Sequence, residues 1–183
     1  MQYHSEVCCI MDYQDRLIDH LVRVCTSEGL LKGTLLDTPD IEDAWLRYAP
    51  SYYTDAVHNF NSYPEYTLAC SGFLGMAVAY LWDKDWEKYC SEPYASFLGA
   101  RGFDDMDEYI SGKILKDNRF PVSAMHTVSE TAYSFLMNER LESGTAVAYK
   151  AFLATAHAVF KAGAAIQLCH MGYDFQAVNP QYS

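Results

Sequence analysis

"YPEYTLACSGFLGMAVAYLWDKDW", residues 63–86, carries no charge between Glu65 and Asp83. A helix that is apolar on every side is either a membrane span or a helix enclosed by other parts of the protein. A membrane span needs about 20 predominantly apolar residues, and Tyr66 to Trp82 supplies about 17, with Thr67, Ser71, Gly72 and Gly75 among them. No Lys or Arg closely precedes the run, so the positive-inside signal is missing too. The stretch therefore reads as a core helix, and no membrane partner is expected.

Its glycines need a reason, because each costs about 1 kcal/mol relative to alanine in a helix interior. Ala69, Gly72, Met76 and Ala79 fall near one helical face, with Gly75 beside them. Such a flat strip lets a second helix come close. Ala151, Ala154, Ala158, Ala162 and Ala165 form a matching strip near the C-terminal end of the sequence. These two segments are expected to pack tightly at the centre of the fold.

Outward from there, a 3.6-residue apolar period predicts a helix over residues 6–28, closed by Gly29. Thr38 and Pro39 open another, which Pro50 should break or kink before it resumes to about residue 61. Further helices are expected over about 104–116, 122–141 and 145–171. No stretch alternates with period two for long enough to be a strand. The fold class is all-α, an antiparallel bundle of about five to seven helices, some short or kinked. Residues 1–183 read as a single domain, with 172–183 a C-terminal tail.

Acidic residues outnumber basic ones 24 to 13, for a formal charge of −11. Phosphate backbones require clustered Lys and Arg. The nearest approach to a cluster is Lys113, Lys116 and Arg119, interrupted by Asp117. Nucleic acid and anionic membrane surfaces are therefore not expected as partners. The first basic residue is Arg16, and no secretory signal is expected. The six cysteines are scattered without a C-x-x-C pair. They read as reduced, buried thiols of a cytoplasmic protein, although one of the neighbours Cys8 and Cys9 should be exposed.

Chemistry is harder to find. No H-E-x-x-H or G-x-S-x-G motif occurs. Asp55 and His58, and His126 and Glu130, each place two polar groups on one helical face, without the Glu-x-x-His pattern of carboxylate metal bundles. No metal or cofactor is expected. His157, on one side with Lys150 and Lys161, reads as part of a solvated face. The most suggestive region is aromatic: Tyr48, Tyr52 and Tyr53, close to Asp55 and His58, among 15 tyrosines in the chain. They can either line a groove or seal the helix around Pro50.

Two functions follow. The preferred one is a non-enzymatic protein-interaction or regulatory module whose partner is another protein or a second copy of itself, as a homodimer. The alternative is a small-molecule or metal-binding enzyme using Asp55, His58, His126 and Glu130 between helices. The candidate binding residues are thus Tyr48, Tyr52, Tyr53, Asp55, His58, His126 and Glu130.

Overall fold

A computed structural model of the chain describes residues 2–174, with side chains from Cys9 onward. The expected C-terminal tail falls largely on residues 175–183, outside the described residues. The all-α expectation holds. The helices are α1 (Gln2–Ser27), α2 (Pro39–Asn59), α3 (Pro64–Lys84), the single turn α4 (Trp86–Tyr89), α5 (Met106–Tyr109), α6 (Phe120–Asn138) and α7 (Ala146–His170). Two 3-10 turns, Tyr94–Phe97 and Phe103–Asp105, lie between α4 and α5. No strand occurs among the described residues.

The local signals explain most boundaries. Thr38 Oγ1 accepts from Ile41 N–H, with Pro39 at the first helical position and Asp40 and Glu42 near the positive end of the helix dipole. Thr145 caps α7 in the same way. Gly29 takes φ = 74° after α1, a left-handed stop that glycine adopts without strain. At Pro50 the outcome differs from a break: α2 is helical on both sides of it. Pro50 lies on the solvent side of α2, and its neighbour one turn back, Leu46, is exposed as well. The lost helical hydrogen bond therefore falls where water can replace it.

The expected helix over 104–116 is also different. It is α5 followed by a π-helical segment, Ile110–Leu115, and ends at Lys116 in the left-handed conformation with φ = 54°. The "GARG" turn before it closes with two backbone hydrogen bonds between Gly99 and Gly102.

The α3 run is core. Every residue from Thr67 to Ala79 is buried, and Thr67 and Ser71 return their hydroxyls to the Tyr63 and Leu68 carbonyls of their own helix. Its main partner is α7, buried along most of its length. Among the described residues, α7 is the helix long and apolar enough to cross a membrane; four-fifths of its most apolar window is covered by the rest of the fold. The α3–α7 contact is tighter than the alanine strip alone implies. A Cβ built on Gly163 would sit 2.0 Å from the Gly72 carbonyl oxygen, and one on Gly75 would sit 2.0 Å from that of Phe160. The closest approach runs through Phe160, Gly163 and Ala164, which lie beside the predicted alanines.

Helix directions follow from which ends meet. Gly72 faces Gly163, and Tyr173 just beyond α7 donates to Asp83 at the end of α3, so this central pair runs parallel. α2 runs against α7, since Lys161 meets Asp37 and Glu42 while Tyr53 donates to the Leu153 carbonyl. α6 does likewise: its first residue, Phe120, stacks on His170 near the end of α7. α1 also runs parallel to α7, since Tyr13 meets Thr155 and Lys32 meets Asp174. The sequence neighbours α2 and α3, and α6 and α7, are thus antiparallel, and the parallel pairs are joined only over a long range.

One expectation is corrected here. His157 and Lys161 do not form a solvated face. The Lys161 side chain is only 8% exposed, with its ammonium 3.1 Å from Asp37 Oδ1 and 3.0 Å from Glu42 Oε1. His157 stacks on Trp45 with rings 3° from parallel. Its Nε2 lies 2.8 Å from Glu42 Oε2, without the alignment of a hydrogen bond. The acids that make Lys161 burial tolerable come from α2 and the connector before it, 119 and 124 positions away.

Candidate functional site

The tyrosines singled out by sequence are mostly structural. Tyr52 is fully buried and donates to the Thr67 carbonyl at 2.7 Å, tying α2 to the first turn of α3. Burial holds its phenol well above the ordinary pKa of 10. Tyr48, also buried, donates to the Glu92 carbonyl at 2.7 Å. Tyr53 donates to the Leu153 carbonyl at 3.1 Å and packs edge-on to Trp45. Asp55 accepts a 2.9 Å hydrogen bond from the Tyr94 hydroxyl.

The His and carboxylate candidates are dispersed. His58 lines a depression with Pro50, Thr54 and Tyr149. His126 lines a different one, with Glu65, Tyr66 and Asp107. His126 and Glu130 approach each other to 3.8 Å on the outer side of α6, and both are well exposed. No group of three metal-ligating side chains occurs among the described residues.

What the fold does assemble is a groove at the end of the bundle where α2 and α6 finish and α7 begins. Its central part, about 450 Å³, lies between Val57 of α2 and Phe60 just beyond it, the Ser143–Gly144 turn, and Tyr149 and Phe152 of α7. A smaller depression beside it shares Phe60 and Phe152 and adds Leu136, Met137 and Leu141. The depression with His58 shares Val57 and Tyr149, so the three are continuous. Phe60 and Phe152 form its floor, with ring centroids 4.5 Å apart.

Exposed large apolar side chains gather at its rim: Val57 is 48% exposed, Met137 54% and Tyr149 47%. No protein family matches this chain. No curated protein or solved structure matches it significantly either. The groove must be read from its own chemistry. Of its residues, sequence reasoning pointed to Tyr53 and His58 at one edge. Val57, Met137, Tyr149 and Phe152 lie on three helices whose convergence no local pattern signals.

Proposed function

We propose that this chain is a protein-contact domain, working without catalysis, and that the α2–α6–α7 groove is its contact face. The observation that carries the reading is the exposure of Val57, Met137 and Tyr149 around a single groove with an aromatic floor. Scattered exposed apolar residues mean little, but ones that converge on a concavity mark recognition surfaces. The fitting occupant is an amphipathic segment of a partner protein that inserts one or two apolar side chains between Phe60 and Phe152. The chain's charge of −11 favours a segment of net positive charge. The groove is too small to supply the roughly 800 Å² per partner of a stable dimer by itself. The enzyme reading is weaker, because His58 and His126 line separate depressions. A cytoplasmic setting agrees with free thiols at Cys25 and Cys70.

In-cell crosslinking tests this. A photoreactive residue at position 149 should give a discrete heteromeric product, while one at the exposed Glu87 should not. The captured segment, made as a peptide, should bind the purified chain and bind the Val57→Lys variant about tenfold more weakly. A product of twice the chain's own mass would replace the partner with a second copy. Equal products at both positions, or none at 149, would refute the groove as a contact face.

A further inference from the structure

Independently of the groove, the far side of the molecule carries a cavity of about 430 Å³ with the opposite chemistry. Lys84 at the end of α3 and Lys113 and Lys116 of the π-helical turn line it, together with Tyr80, Tyr89 and Tyr109. The volume suits a small organic ligand. The chain has only 13 basic residues against 24 acidic ones, yet three of its lysines meet here. None of the three makes an ion pair among the described residues, whereas Lys32, Lys161, Arg16 and Arg101 all do. The nearby acids are otherwise engaged. Asp117 accepts from the Arg119 and Phe120 backbone N–H groups and lies 3.8 Å from His170, and Asp85 caps α4. Glu92 is the one carboxylate on the cavity wall.

The backbone beneath the lysines is unusual. A π-helical segment is uncommon and is found disproportionately at functional sites. Here it ends on a left-handed lysine, Lys116, a conformation that costs a non-glycine residue about 1 kcal/mol or more. The half-buried rings of Tyr80 and Tyr109 have hydroxyls without hydrogen-bond partners among the described residues.

We infer that this cavity binds a nucleoside phosphate, with the phosphates on Lys84, Lys113 and Lys116 and the base against the tyrosine rings. Lysine ammonium groups bind phosphate as point charges, aromatic faces stack on bases, and Glu92 and Ser96 can meet sugar hydroxyls. The size and charge of the chain select a compact anion over a polymer. Three lysines attract a di- or triphosphate at short range, while the surrounding net charge of −11 repels an extended nucleic acid.

Isothermal titration with ADP, ATP, adenosine, pyrophosphate and a phosphotyrosine peptide tests the inference. ADP or ATP should bind more tightly than either pyrophosphate or adenosine. The Lys84→Gln, Lys113→Gln and Lys116→Gln variants should each weaken binding about three- to tenfold, with the effects multiplying in the triple variant. All three lysines are exposed, so circular dichroism of the variants should match that of the parent. Tyr109→Ala should weaken ADP and leave pyrophosphate unchanged. Three results would each overturn the assignment: no binding of any nucleotide at millimolar concentration, equal binding of pyrophosphate and ADP, or tighter binding of the phosphopeptide. Nucleotide binding unaffected in the triple variant would also overturn it, by placing the site elsewhere.

Discussion

Replacing Gly163 by alanine sets two effects of opposite sign against each other. Helix propensity alone predicts a gain of about 1 kcal/mol, since alanine is the better helix former. The packing predicts a loss. The new Cβ would lie 2.0 Å from the Gly72 carbonyl oxygen and 2.8 Å from its carbon. An ordinary carbon–oxygen contact is about 3.3 Å, so the central helices must separate by roughly 1.3 Å. A gap of 0.5–1 Å already forfeits about a quarter to a half of each dispersion contact. The obstacle is backbone, which cannot rotate aside as a side chain does, so the overpacking cost falls at or above the top of the usual range of about 1–3 kcal/mol. Net of propensity, Gly163→Ala should destabilise by about 2–3 kcal/mol. For a chain of this size that lowers Tm by about 4–12 °C. Gly75→Ala, whose Cβ meets the Phe160 carbonyl oxygen at 2.0 Å, should match it. Gly72→Ala should be milder, since its nearest obstacle is the flexible Met125 Sδ at 2.3 Å. Thermal and urea unfolding followed by circular dichroism give the answer. A Gly163→Ala variant as stable as the parent, or more so, would refute close backbone packing as the organising contact.

Three further predictions concern the buried polar groups. Lys161→Ala leaves the Asp37 and Glu42 carboxylates facing each other without their cation. Because both are partly solvated, the loss in urea unfolding should be about 1–3 kcal/mol, against under about 1 kcal/mol for Asp37→Asn. Burial, reinforced by Lys161, holds the His157 pKa below its ordinary 6.5 despite Glu42. The unfolded chain then binds the extra proton, so stability should be fully present above about pH 6.5 and fall as the pH drops below it. His157→Gln should remove that part of the slope between pH 7.5 and 5, and an unchanged slope would count against it. At alkaline pH the sign reverses. Burial raises Tyr13 to about 12 and also raises Tyr48, Tyr52, Tyr53, Tyr66 and Tyr94, so stability should decline as the pH rises above about 10. Absorbance titration at pH 11 should find fewer tyrosines ionised in the folded chain than in urea, and equal ionisation would count against it.

The sequence made the centre of the fold legible because close helix packing demands small side chains, and glycines in an apolar run are hard to explain otherwise. Gly72 and Gly75 pointed to α3, and the alanines to α7. Gly163 escaped because glycine among four nearby alanines adds little to the pattern. Lys161 looks solvated in the sequence because its partners, Asp37 and Glu42, are remote; no local rule distinguishes a buried paired lysine from a surface one. The tyrosines showed the same limit. Their helical spacing was visible, but the carbonyls of Thr67, Glu92 and Leu153 that receive their hydroxyls were not. In the sequence Lys113, Lys116 and Arg119 are only an interrupted cluster, broken by Asp117. Their meaning changes only when Lys84 joins them across the fold.

The parallel pairing of α3 with α7 has a consequence for how the chain is made. Gly72 meets a surface synthesised about 90 residues later, so the ribosome releases the buried helix α3 well before its cover exists. At roughly 5–20 residues per second, α3 waits on the order of 5–20 s for α7. During that interval α2 can pair with it through Tyr52, but the glycine face remains bare. Substitutions at that face should therefore reduce the yield of folded protein during synthesis more than they reduce the stability of molecules that have already folded.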